Sequence, residues 1–282
     1  MWTRGLAAWY TAHGRHHLPW RQTRDPWAVL VSEVMLQQTQ VSRVLPRWQA
    51  FLDRWSDPAS FAAAGRDDVL RFWQGLGYPR RVVALQQTAS AITRSGWPGT
   101  ETGLRGLPGV GSYTARALLT LAFETQCVPP ADVNLRRVAA RAALGLAPDA
   151  ATPAEIDDAL EAGKPRIMAR RDYTLALFDV GAIHCRSTPR CTGCPLRATC
   201  RSAGLPSAPP ARRQAPYAGS ARRLRGALLR VLLDEPGAGI AELHARVAGI
   251  PAATAPGAVD AALAGLFRDG LITAVPQGPA AN

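Results

Sequence analysis

Leu107-Pro108-Gly109-Val110-Gly111-Ser112-Tyr113-Thr114 is the stretch on which the reading of this chain turns. It lies between two helical patterns. Gly109 and Gly111 let the backbone turn tightly and bare its amides, and a helix starting at Ser112 offers its first N–H groups to an anion. A helix-hairpin-helix motif holds a DNA phosphate in this way without reading sequence. Gly-x-Gly alone also marks many ordinary interhelical turns, so its weight comes from what surrounds it.

Outward from this turn the apolar period is helical nearly throughout. Asp25-Pro26 reads as an N-cap followed by proline at the first helical position. It opens a helix through Trp27, Leu30, Val31, Val34, Met35 and Leu36. Further helices are expected over 41–54, 67–74, 80–95, 112–123, 134–143, 153–163 and 170–183, with short connections rich in Gly, Pro and Asp. Residues 204–220 are rich in Pro, Ala, Gly and Arg and read as a linker. Helices at 222–233, 240–247 and 258–268, with a strand in Gly270-Leu-Ile-Thr-Ala-Val275, suggest a small winged-helix-like module over 221–282.

The 282 residues are enough for two or three domains with real cores. A formal net charge of +12 points to a polyanionic partner, most simply nucleic acid, with solubility alone as the bland reading. No run approaches the about 20 apolar residues of a membrane span, so no membrane partner is expected. No apolar signal segment opens the chain, and a reducing bacterial cytoplasm, at the nucleoid, is the expected compartment. Nearly every basic side chain is arginine, and Lys164 is the only lysine.

Four of the five cysteines, Cys185, Cys191, Cys194 and Cys200, follow one another as C-x5-C-x2-C-x5-C. A structural zinc site usually reads as two separated C-x-x-C knuckles, and here there is one such pair. Four thiolates from one compact loop suit a [4Fe–4S] cluster. Zinc and structural disulfides are the alternatives, the second disfavoured by the reducing compartment. Cys127 lies outside the spacing and is expected as a buried thiol. His184, beside the first cysteine, is expected to pack or face solvent.

The turn, the charge and the cysteines together resemble the helix-hairpin-helix superfamily of DNA base-excision glycosylases. More closely, Leu18-Pro-Trp-Arg21, Ser32-Glu-Val-Met-Leu-Gln-Gln-Thr-Gln40, Gly75-Leu-Gly-Tyr78 and Asp132-Val-Asn134 resemble the MutY-type adenine DNA glycosylases, over residues 5–203. The resemblance implies an all-α, two-lobed fold. A six-helix barrel with the hairpin would occupy 22–129, and an iron–sulfur cluster domain would combine 1–21 with 130–203. It implies a base-excision repair enzyme acting on double-stranded DNA that contains a mispair or oxidised guanine. The enzyme would flip out adenine opposite 8-oxoguanine or guanine and hydrolyse its N-glycosidic bond. A monomer is expected.

Glu33 lies mid-helix among Val31, Val34 and Leu36. Desolvation there disfavours the ionised form and raises the pKa, as a general acid needs; a solvent-facing acid is the bland alternative. By resemblance Glu33 protonates adenine at N7 and then activates water. Asp132 reads locally as an N-cap for a helix containing Arg136 and Arg137. By resemblance it is the second catalytic carboxylate, stabilising an oxocarbenium-like sugar, a logic that parallels glycoside hydrolysis. Asn134 and Tyr113 match family positions that hydrogen-bond around this centre. Strand-cutting relatives carry a lysine where Tyr113 stands, so tyrosine implies a monofunctional enzyme that leaves an abasic site. Leu36, Gln38 and Tyr78 match positions that wedge into the stack and contact the opposing base. Trp20 and Arg21 match positions lining the adenine pocket. Arg186 and Arg190 are expected on a basic loop that the cluster sets against phosphates.

Three departures stand out. The gap between Cys185 and Cys191 is one residue shorter than is usual in the family. Leu175 stands where many relatives have a Glu or Gln that hydrogen-bonds the flipped adenine. The segment 221–282 is shorter than the NUDIX-related domain with which many relatives recognise 8-oxoguanine. Leu175 keeps a second reading open, a glycosylase for thymine or uracil opposite guanine. A non-catalytic iron–sulfur DNA-binding protein is a third, disfavoured by Glu33, Asp132 and Asn134 standing together.

Overall fold

A computed structural model describes residues 1–203 and 216–276. Most of the expected linker, 204–215, lies outside the described residues. The helices in chain order are α1 (Leu6–His13), α2 (Pro26–Leu36), α3 (Val41–Arg54), α4 (Pro58–Ala62), α5 (Arg66–Trp73), α6 (Arg80–Ser95) and α7 (Glu101–Arg105). They continue as α8 (Ser112–Leu121), α9 (Val133–Ala139), α10 (Pro153–Ala162), α11 (Arg170–Ile183), α12 (Ala221–Asp234), α13 (Ile240–Val247) and α14 (Ala258–Arg268). A single π turn, Ala140–Leu144, extends α9. The fold is all-α, and among the described residues there is no strand. No described helix is long and apolar enough to cross a membrane.

The chain divides into two compact units. The first takes Met1–Glu33 and the chain from Trp97 through the cysteine loop. Its centre is α11, which packs on α1, α8 and α9. The contact with α9 is close enough to require Gly181, because a Cβ there would lie 2.7 Å from the Asn134 Cβ. Tyr173, fully buried on α11, donates its hydroxyl to the Leu160 carbonyl of α10 at 2.8 Å.

The second unit takes Val34–Gly96 and the C-terminal segment. Along α3, Val44, Trp48 and Phe51 recur at helical spacing and are buried. Phe51 meets Trp55, Phe61 and Phe72 at centroid distances of 5.0, 4.8 and 5.6 Å. Each such pair adds about 0.5–1.5 kcal/mol beyond its buried area. The C-terminal helices form a small core from Leu224, Leu228, Leu243, Val247, Leu263 and Leu266. α12 packs on α5, where the Arg71 guanidinium donates to the Leu233 carbonyl.

The expected strand at 270–275 is not formed. The segment is turn and bend, with Gly270 at a φ of +66° and Leu271 buried. No second extended segment pairs with it among the described residues, and a strand without a paired neighbour is not stable in water. The described part of the module is therefore helical, and the wing expected from the sequence is absent there.

Candidate active site

α2 begins as the sequence predicts. Asp25 accepts hydrogen bonds from the Trp27 and Ala28 amides at 3.2 and 3.1 Å, with Pro26 at the first helical position. Two turns later Glu33 is 7% exposed, among fully or nearly fully buried neighbours. Burial pushes its carboxyl up to about 7, against an ordinary value near 4.5. The Tyr113 hydroxyl, from the first turn of α8, donates to it and opposes part of that rise. The charge of Asp132 adds to the rise, and Arg21 lowers it. Tyr113 is itself held well above its ordinary range, by burial first and by Glu33 second, so it remains a neutral donor.

Asp132 is the N-cap of α9, as its local sequence indicates. Oδ1 accepts from the Asn134 amide at 2.9 Å and the Leu135 amide at 2.7 Å, and Oδ2 accepts from the Asn134 Nδ2 at 2.7 Å. Burial raises its pKa, and these hydrogen bonds oppose the rise. The cap leaves the carboxylate oriented and close enough for its charge to act on Glu33. Asn134 accepts at Oδ1 from Arg137 at 2.7 Å, and Arg137 also donates to the Cys185 carbonyl. A hydrogen-bonded chain thus joins Asp132 to the first residue of the cysteine loop.

Trp20 and Arg21 form a short 3-10 turn in the same unit. Arg21 is bound bidentately by Asp179 of α11, at 2.7 and 2.8 Å. Asp179 is completely buried and also accepts from the Arg15 amide at 2.9 Å and the Arg15 Nε. Burial alone would raise Asp179, but Arg21 and Arg15 outweigh it and hold the carboxyl below its ordinary value. Leu175, one turn before Asp179, is buried and offers no polar atom. The sequence reading missed Asp179 and Arg137. An acid in an otherwise apolar run of α11 is the signal that marks Asp179.

Gly109 has a φ of +74°, the left-handed state a side chain disfavours. Gly111 caps α8 with no side chain over the helix end, and a Cβ on it would meet no atom within 4 Å. No side chain therefore caps the first amides of α8, which leaves them without a side-chain acceptor at the helix start.

Cys185, Cys191, Cys194 and Cys200 line one cavity of about 150 Å³, together with Val138, Arg141 and Leu196. All four are free and half-buried. Burial, with the three neighbouring thiols, pushes the Cys194 thiol up to about 11. Bound iron would reverse that cost by drawing the thiols into their ionised form. Arg141, buried on the π turn, fastens the loop through the Arg186 and Ser187 carbonyls at 2.6 and 3.3 Å. Four thiols round one cavity are a donor set that fits a thiolate-held cluster. Among the described residues no group of three or more Cys, His, Asp or Glu side chains is placed to hold a single metal ion. His184 reaches the Arg190 carbonyl at 3.2 Å and meets the Trp9 ring edge-on. Arg186 and Arg190 are exposed. Cys127 is half-buried rather than buried; it lies in the connection after α8, and its Sγ is 3.1 Å from the buried Thr120 hydroxyl.

Leu36, Gln38 and Tyr78 belong to the second unit. Leu36 is half-buried at the end of α2, Gln38 is exposed, and Tyr78 is 41% exposed.

Residues 31–165 match the family model described as HhH-GPD superfamily base excision DNA repair protein. The adenine DNA glycosylase of Mycolicibacterium smegmatis is 43% identical over 235 residues, covering 81% of this chain and 79% of that relative. That of Mycobacterium tuberculosis is 42% identical over 285 residues, covering 97% of this chain and 90% of the relative, so the match runs through the C-terminal helices. The chain belongs to the adenine DNA glycosylase family of the HhH-GPD superfamily. Among solved structures, a thermostable thymine-DNA glycosylase aligns with a TM-score of 0.63 at 25% identity, over 70% of this chain and 92% of that one. An endonuclease III–DNA complex aligns at 0.57 and 22% identity, over 70% of this chain and 91% of that one, and shows the shared fold.

Proposed function

We propose that this protein is a monofunctional adenine DNA glycosylase that removes adenine opposite 8-oxoguanine, and less efficiently opposite guanine. The observation that carries the reading is Glu33, a desolvated carboxyl with a pKa of about 7, beside Asp132 and hydrogen-bonded by Tyr113. At neutral pH about half of the molecules hold the Glu33 proton. Glu33 gives that proton to N7 of the extruded adenine, and the base departs with the electrons of the N-glycosidic bond. The sugar becomes an oxocarbenium-like cation, and the Asp132 carboxylate stabilises it. Glu33, now ionised, takes a proton from the attacking water, whose oxygen bonds to the sugar carbon. Adenine and an abasic site result, and Glu33 is protonated again.

Tyr113 is no amine, so no Schiff base forms at that position and the strand stays intact. Gly109 and Gly111 hold a phosphate, and Trp20 and Arg21 bound the base pocket. Leu36, Gln38 and Tyr78 enter the stack. Cys185, Cys191, Cys194 and Cys200 would hold a [4Fe–4S] cluster that staples the loop bearing Arg186 and Arg190.

A second reading, removal of thymine or uracil opposite guanine, draws on buried Leu175 and on the likeness to the thymine-DNA glycosylase. Single-turnover base release tests both. The duplexes carry A opposite 8-oxoguanine, A opposite G, A opposite T, T opposite G and U opposite G, with and without alkali. Fast release from the first, visible only after alkali, is expected. Release from the last two instead would replace the first reading by the second.

A further inference from the structure

Gln38 and Tyr78 share an uncommon backbone state. φ is +54° at Gln38 and +48° at Tyr78, in the left-handed region, and Glu124 is the one other non-glycine residue there among the described residues. A side-chain-bearing residue in that region costs about 1 kcal/mol or more and persists where surrounding structure over-determines it. At both positions one side chain does so. Arg81, at the start of α6, donates from Nη1 to the carbonyls of Val34 at 2.7 Å, Met35 at 3.3 Å and Gln37 at 2.5 Å. Its Nη2 donates to the carbonyls of Leu76 at 2.8 Å and Gly77 at 2.9 Å, and to the Thr39 hydroxyl at 3.3 Å.

Two of these acceptors matter most. The Gln37 carbonyl belongs to the peptide plane that enters Gln38, and the Gly77 carbonyl to the plane that enters Tyr78. Anchoring both planes on one rigid, planar fork fixes where each of the two side chains leaves the backbone, and fixes them relative to each other. The guanidinium carbon also lies 5.6 Å from the Tyr78 ring centroid and 5.4 Å from that of Trp73. It therefore supports the exposed Tyr78 ring directly. Trp73 adds a hydrogen bond of 3.0 Å to the same Gly77 carbonyl. Burial brings the Arg81 pKa down only to about 10, so the fork is charged at neutral pH.

We propose that Arg81 is a positioning residue for base extrusion, holding Gln38 and Tyr78 in the mutual arrangement with which both enter the duplex. The proposal rests on the glycosylase reading above, which assigns those two side chains to the stack. Lysine, a compact point charge, cannot span both sets of carbonyls and should replace arginine only in part.

The test compares Arg81→Lys and Arg81→Gln with Gln38→Ala, Tyr78→Ala and the unaltered protein. Single-turnover excision is measured for adenine in a fully paired duplex opposite 8-oxoguanine and for adenine in an unpaired loop. Fluorescence of 2-aminopurine at the target position reports extrusion directly. Arg81→Gln should slow excision from the paired duplex by about tenfold or more, yet change excision from the loop by less than about twofold, because an unpaired base needs no wedge. Arg81→Lys should fall between, with the same bias and a matching loss of 2-aminopurine signal. An equal loss on both substrates, or loss of the fold in both Arg81 variants, would reassign Arg81 to stability and overturn the proposal. If Gln38→Ala and Tyr78→Ala slow the paired duplex while folded Arg81 variants do not, the proposal alone fails. If neither alanine variant slows it, the wedge reading fails and the proposal falls with it.

Discussion

Glu33 carries its consequence in a single carboxyl. Its pKa is raised on folding from 4.5 to about 7, so between those values the folded state binds more protons than the unfolded chain. Stability therefore falls as pH rises through that window, and above it ionised Glu33 costs about 3 kcal/mol. Glu33→Gln should abolish base release while raising the melting temperature at pH 8, with the difference vanishing near pH 4. A melting curve that is unchanged at pH 8 would show that Glu33 is not desolvated. In the unaltered protein the single-turnover rate should decline on the alkaline side with an apparent pKa near 7, a property of the Glu33 and Asp132 pair. Glu33, Asp132, Asn134 and Tyr113 were all legible as candidates because they sit in recognisable short motifs. Asp179, Arg137 and Arg81 were not. Each holds at least one partner far along the chain, Asp179 with Arg15 and Arg21, Arg137 with Cys185 and Arg81 with Gln37, and no local pattern records those.

At the scale of elements, the long helices were legible, and their ends agree with the apolar period to within a few residues. The short helices α1, α4 and α7 were missed. The five residues of α4 and of α7 span little more than one turn and barely display a period, α7 contains Gly103 besides, and the eight residues of α1 spread their apolar side chains round the helix instead of along one face. The strand expected at 270–275 failed for the opposite reason, since its residues favour extension but find no partner. The hairpin turn yields a sharp prediction. In Gly111→Ala the new Cβ meets no protein atom and φ is −85°, so the fold should be kept. If the proposed phosphate rests on the Gly111 backbone, the added methyl group should lower duplex affinity by about tenfold. A titration showing unchanged affinity would remove the turn from the DNA contact. The cysteine loop yields another. Cys194→Ser should lose the brown colour of an iron–sulfur protein and most duplex affinity, whereas a colourless variant with full affinity would reject the staple role.

For the whole molecule, the net charge of +12 predicts duplex binding that weakens steeply and linearly in log salt, checked by titration across ionic strengths. The C-terminal helices make a second prediction. Leu228 is fully buried in their core, so Leu228→Ala should cost about 2–5 kcal/mol in the stability of that unit, read by denaturant unfolding.

Read alone, the sequence specifies the helical class, the glycine-bearing turn before α8, the clustered cysteines and the identities of the candidate acids. These are properties of period, spacing and side-chain chemistry, all local along the chain. Tertiary structure alone decided which charges became buried and what each then faced. Glu33 acquires its proton affinity from desolvation, Asp179 its ionised state from Arg21 and Arg15, and Arg81 its reach from two connections, near residues 37 and 77, that fold against each other. Desolvation and charge pairing depend on distance in space, and spacing along the chain does not encode that distance.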